Sequence, residues 1–88
     1  MARFELRFKP SVAKDLRGIP KTEVRRLLKR IEALGSDPRP AGCEKLTGRD
    51  LYRIRHGVYR IVYSVNDAAS VVIEVIKVGH RREVYRTP

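Results

Sequence analysis

Three arginines, Arg53, Arg55 and Arg60, are the residues of this chain whose spacing most suggests chemistry. They lie in LYRIRHGVYRIVYSV, residues 51–65, where apolar residues alternate through Tyr52 and Ile54, then through Tyr59, Ile61, Tyr63 and Val65. A period of two marks half-buried strands, and Gly57 can take the positive φ of a tight hairpin. With His56-Gly57 as the loop, Arg55 faces Val58, Ile54 faces Tyr59, Arg53 faces Arg60 and Tyr52 faces Ile61. Tyrosines and isoleucines then share one face, and the three arginines share the other. Like charges opposed across a sheet are destabilising. A polyanion reverses that sign, because each guanidinium presents a planar fork of donors suited to phosphate. A solvated face on a basic protein is the plainer reading of the same pattern.

A second basic stretch closes the chain: His80-Arg81-Arg82-Glu83-Val84-Tyr85-Arg86. Its arginines can bind phosphate, and Tyr85 or His80 can stack on a base or move a proton. A charged chain end is the alternative. Other catalytic sets are missing. No Ser–His–Asp arrangement is evident, and His56 and His80 do not have metal-ligand spacing. Only Glu74 and Glu83 supply carboxylates near the arginines, and there is no Gly-rich phosphate loop. An inventory of Arg, Tyr and one His suits cleavage of RNA by its own 2′-hydroxyl. The substrate brings the nucleophile, and arginines stabilise the charge gathering on the non-bridging oxygens. Tyr or His assists the leaving 5′-oxygen. That route calls for no metal and no cofactor, and DNA is inert to it.

Eighty-eight residues, 1–88, make one domain with a modest core. Twenty Lys and Arg against ten Asp and Glu give a formal charge of +10, which favours an anionic partner. No apolar run approaches membrane-spanning length. The chain enters a strand pattern directly, so no signal peptide is expected, and its single cysteine, Cys43, rules out an internal disulfide. A cytoplasmic protein with no membrane partner is expected, with Cys43 an incidental loop thiol.

The elements follow from periodicity. Arg3 to Phe8 alternate, with Phe4, Leu6 and Phe8 on a buried face. Pro10 suits a helix's first turn, and Ser11 to Arg17 make a short helix, with Val12, Ala13 and Leu16 inward and Gly18 as its stop. Pro20 opens a long helix with Val24, Leu27, Leu28, Ile31 and Leu34 in one stripe, ended by Gly35. Its opposite face, Arg25, Arg26, Lys29 and Arg30, reads as solvated surface. Ser36 to Asp50 reads as an irregular connection anchored by Leu46. A last strand from Val71 to Val78, broken at Gly79, is central in the sheet. A loop of three or five residues before it puts Ile73 and Val75 on the tyrosine face and Glu74 on the arginine face; a loop of four reverses this and buries Glu74, the less favourable arrangement. The class is α+β: an N-terminal strand, a two-helix hairpin, then a three-stranded antiparallel meander, in one sheet with helices on one face.

That order, with LTGRDLYRIRHGVYRIVYSV and the ending VGHRREVYR, resembles the RelE toxins of the RelE/ParE superfamily over nearly the whole chain. The resemblance implies a type II toxin–antitoxin toxin. It would cut mRNA as a metal-independent endoribonuclease in the ribosomal A site, and a cognate antitoxin would silence it. Arg53 and Arg55 match the family's basic pair, Arg60 the arginine of the next strand, Arg81 the tail arginine and Tyr85 the tail tyrosine. These five are the implied catalytic set, with Arg53 and Arg55 as electrostatic clamps, because an arginine is too basic to accept a proton readily. His80 has no fixed catalytic place in the family pattern; it is expected, with Arg82 and Arg86, as an RNA contact, with a role as acid or base the alternative. The alternatives are a ParE-type toxin that inhibits DNA gyrase, a non-catalytic basic RNA-binding module, and an inactive relative that only pairs with an antitoxin.

Overall fold

A computed structural model describes residues 5–46, 51–66 and 72–80. In chain order the elements are β1 (Glu5–Phe8), α1 (Pro10–Arg17), α2 (Lys21–Leu34), β2 (Glu44–Lys45), β3 (Leu51–His56), β4 (Tyr59–Asn66) and β5 (Val72–His80). The five strands form one sheet in the order β1-β5-β4-β3-β2. β1 lies parallel to β5, and the other pairings are antiparallel. The α1–α2 hairpin therefore carries the chain from one edge of the sheet to the opposite edge, as an α+β arrangement of this kind must.

The helices cover one face. Val12 of α1, Ile19 of the connection, and Leu27, Ile31 and Leu34 of α2 pack on Ile54, Ile61, Tyr63, Ile73, Val75 and Val78. The stripe of α2 is narrower than its sequence suggests. Leu28 and Phe8 remain exposed and, with Ala13 and Leu16, line a shallow groove on the outside of the helix layer. β1 is an edge strand, so the face expected to be buried is only half covered, with Leu6 partly buried.

β5 carries a bulge that its sequence did not announce. Val62 pairs with Lys77 but Tyr63 pairs with Val75, which leaves Ile76 as the extra residue. Without it, strict alternation from Ile73 and Val75 would send Lys77 into the core. With it, Val78 is buried in that place. Glu74 lies opposite Ser64, on the face away from the helices, as expected. Gly79 does not end the strand; β5 continues to His80. Beyond the end of β1, Asp15 of α1 takes over the sheet edge. Its carboxylate accepts from the Val78 backbone N–H at 3.2 Å and from Lys77 Nζ at 2.9 Å.

From Ser36 to Leu46 the connection after α2 is tied down more than its Pro and Gly content implies. Leu46, the expected anchor, is only partly buried. The tie is Tyr63, whose hydroxyl donates to the Pro38 carbonyl at 2.8 Å beneath the connection. Its ring stacks on Tyr52 with centroids 5.8 Å apart, and Arg39 lies over Tyr52, its Nε donating to the phenol oxygen at 3.0 Å. Burial, with the Cys43 thiol alongside, pushes the Tyr63 phenol well above the ordinary 10.0. Above that ordinary value the folded chain holds a proton that the unfolded chain has lost, so stability falls as pH rises further. Tyr63→Phe should lower stability at neutral pH by about 1 kcal/mol, through the lost hydrogen bond and the stranded carbonyl. It should also remove that alkaline slope, which urea denaturation at several pH values measures.

Candidate active site

The arginine face is built by the β3–β4 hairpin. Its loop is Gly57-Val58 and not His56-Gly57: His56 pairs with Tyr59, Arg55 with Arg60, Ile54 with Ile61, Arg53 with Val62 and Tyr52 with Tyr63. The expected Arg53–Arg60 pair is thus corrected to Arg55–Arg60. The reason is turn chemistry. Gly57 takes φ +59° at the first loop position, where a type II′ turn places its glycine, and Val58 needs no positive φ. The loop moves by one residue, so partners slide by two. An even slip leaves every side chain on its face, and Arg53, Arg55 and Arg60 still lie together, away from the helices.

Their environments differ. Arg55 is exposed. Arg60 is only 4% exposed. Its Nη1 donates to the Tyr59 carbonyl at 3.3 Å, and its Nε is buried without an acceptor among the described residues. Buried donors are nearly always satisfied, so a buried guanidinium with a spare donor is a place where an incoming anion gains more than it would at the surface. Gly79 stands directly opposite Arg60 on β5, which keeps a side chain off that neighbouring position.

Arg53 is held by a residue from the Pro- and Gly-rich connection, which carries no periodic signal. Glu44 of the short strand β2 pairs in register with Arg53, and its Oε1 lies 3.1 Å from Arg53 Nη2. Two residues are too few to show alternation, so β2 left no periodic signal. The hairpin is also pinned to α2. Arg30 Nη2 donates to the Arg55 carbonyl at 3.3 Å, and His56 Nε2 lies 3.8 Å from Glu23 Oε2.

His80 does not join the arginine face. It pairs with Tyr59, next to the Gly79–Arg60 pair, and alternation turns its side chain to the helix side with Tyr59 and His56. Arg81, Arg82, Tyr85 and Arg86 lie outside the described residues, as do Phe4, the Thr47-Gly48 lead-in and the turn before β5. No helix among the described residues is long and apolar enough to cross a membrane.

The face can therefore present guanidinium groups to an anion and stabilise charge that builds on it. Comparison with known proteins sets this geometry in a family. The family model described as the ParE toxin of the type II toxin–antitoxin system parDE matches residues 6–85. A Methanocaldococcus jannaschii relative bearing the toxin name RelE1 is 29% identical over 90 residues, covering 98% of this chain and 99% of its own length. Among solved structures, a mutant of the Escherichia coli toxin RelE in the free state is 36% identical, with a TM-score of 0.76 over 98% of this chain and 93% of that one. A chain of the archaeal RelE–RelB complex from Pyrococcus horikoshii is 34% identical, with a TM-score of 0.75 over 92% of this chain and 97% of its own. With nearly its full length matched in sequence and in backbone, the chain belongs to the RelE-family toxins of the RelE/ParE superfamily, the toxins of type II toxin–antitoxin systems.

Proposed function

We propose that this toxin is an endoribonuclease that cuts mRNA on the ribosome and so stops translation in the cytoplasm. The observation that carries the reading is the buried Arg60, its Nε without an acceptor among the described residues, set opposite Arg55 and on one face with Arg53. The RNA 2′-hydroxyl gives up its proton to water as its oxygen attacks the adjacent phosphorus, and the bond to the 5′-oxygen breaks as that oxygen takes up a proton, leaving a 2′,3′-cyclic phosphate and a 5′-hydroxyl. Arg53, Arg55 and Arg60 bind the phosphate and stabilise the charge on its non-bridging oxygens. Arg81 adds to that clamp. Tyr85 stacks on the mRNA or passes a proton to the leaving oxygen. Arg82 and Arg86 contact the RNA backbone, while His80, on the other face, takes no part at the scissile phosphate. No metal or cofactor enters the route. A cognate antitoxin holds the toxin silent, in line with the RelE–RelB complexes among its structural relatives.

The ParE description of the matched family model favours a second reading, inhibition of DNA gyrase. Induced expression of wild type, Arg60→Ala, Arg81→Ala and Tyr85→Phe, with primer extension on a reporter mRNA, separates the two. Cuts inside translated codons that vanish in the arginine variants support the nuclease. Arrested replication with intact mRNA supports the gyrase reading.

A further inference from the structure

We infer that Glu44 is a positioning residue for the reaction, the group that aims the Arg53 guanidinium at the scissile phosphate; this rests on the ribonuclease reading. Glu44 and Arg53 face each other across β2 and β3, with 3.1 Å between Oε1 and Nη2. The arginine side chain is 11% exposed and the carboxylate 55% exposed. The exposed partner thus reaches over to fix the buried one. Arg53 needs fixing, because it shares its face with Arg55 and Arg60, and three like charges drive a flexible side chain away from its neighbours. A carboxylate on one edge of the guanidinium offsets that repulsion and sets the plane of the fork. The other acidic residues that the register places on this face are farther off: Glu74 lies opposite Ser64, with β4 between it and Arg53, and Glu5 is on the edge strand β1, beyond β5. β2 thereby gains a purpose: two residues of strand on the sheet edge bring one carboxylate into register with one catalytic arginine.

Glu44 does not touch the reacting atoms, so its loss should act through Arg53 alone. The test uses single-turnover cleavage of an A-site codon on programmed ribosomes with full-length wild type, Glu44→Gln, Arg53→Ala and the double variant. Glu44→Gln should lower the cleavage rate about tenfold, as a misaimed group does, while ribosome affinity changes little. In the Arg53→Ala background the same substitution should cost nothing further. The Arg53 Nε–Hε resonance, recorded on the free toxin, should shift toward the position of a solvent-exposed arginine in Glu44→Gln while the rest of the spectrum holds. A wild-type rate in Glu44→Gln overturns the inference. So does a drop that persists without Arg53, which would make Glu44 a group acting on the substrate or its proton, and so does an unmoved Arg53 resonance. If wild type cuts no RNA, the ribonuclease reading fails, and the Arg53 resonance still reports separately whether Glu44 orders the arginine.

Discussion

Arg60→Ala should slow RNA cleavage by about 100- to 1000-fold, the range seen when one preorganised donor to a developing oxyanion is removed, and should leave the fold nearly as stable as before. The second half sets this residue apart from an ordinary buried side chain. Arg60 is shielded from water, its Nε has no acceptor among the described residues, and its cross-strand neighbour is another arginine. Desolvating a charge and placing a like charge beside it both oppose folding. Removing it relieves those costs and leaves a small void in exchange. The net change in stability should stay within about 1 kcal/mol. Single-turnover cleavage and urea denaturation of the same preparation check both halves. A loss of about 3 kcal/mol alongside lost cleavage, the size typical when a buried pair is broken, would make Arg60 a structural residue. Arg60→Lys should recover only part of the rate, because an ammonium keeps the charge but lacks the fork.

Ile61→Ala should show the opposite split. Ile61 is fully buried on β4, between Ile54 on β3 and Val78 on β5. Deleting its side chain at the centre of the sheet should cost about 2–5 kcal/mol, a large part of the roughly 5–15 kcal/mol that a domain of this kind commands. The residue faces the helices, and its neighbour Arg60 faces the other way. Cleavage per folded molecule should therefore remain near wild type at low temperature and fail early on warming. Denaturant titration, with activity corrected for the folded fraction, measures this. A large loss of cleavage in fully folded Ile61→Ala would mean that the arginine face is not independently fixed by the β3 and β4 backbone.

The strands and helices were legible in the sequence where a period was long enough to read. α2 has fourteen residues and β4 eight, and the alternation in residues 51–65 put Arg53, Arg55 and Arg60 on one face whichever turn closed the hairpin. Their pairing was not legible, because Gly57 is compatible with either loop position and only the turn type separates them. Three features escaped for related reasons. β2 is too short to show alternation, so Glu44 looked like loop. The bulge at Ile76 interrupts the period in a run that is almost continuously apolar. The parallel pairing of β1 with β5 joins residues at opposite ends of the chain, for which local pattern carries no signal. Burial was overestimated for Phe8 and Leu28, since an apolar residue on an edge strand or at the flank of a helix stripe has the right type but lacks a covering neighbour.

The most direct measurement is cleavage by purified toxin of an mRNA in which the nucleotide 5′ to the scissile bond carries a 2′-deoxy sugar, on programmed ribosomes and beside the all-ribose control. The expected result is a control cut to a 2′,3′-cyclic phosphate and a 5′-hydroxyl, with the deoxy substrate bound and left whole. Cleavage of the deoxy substrate at a comparable rate would contradict attack by the substrate's own hydroxyl and require another nucleophile.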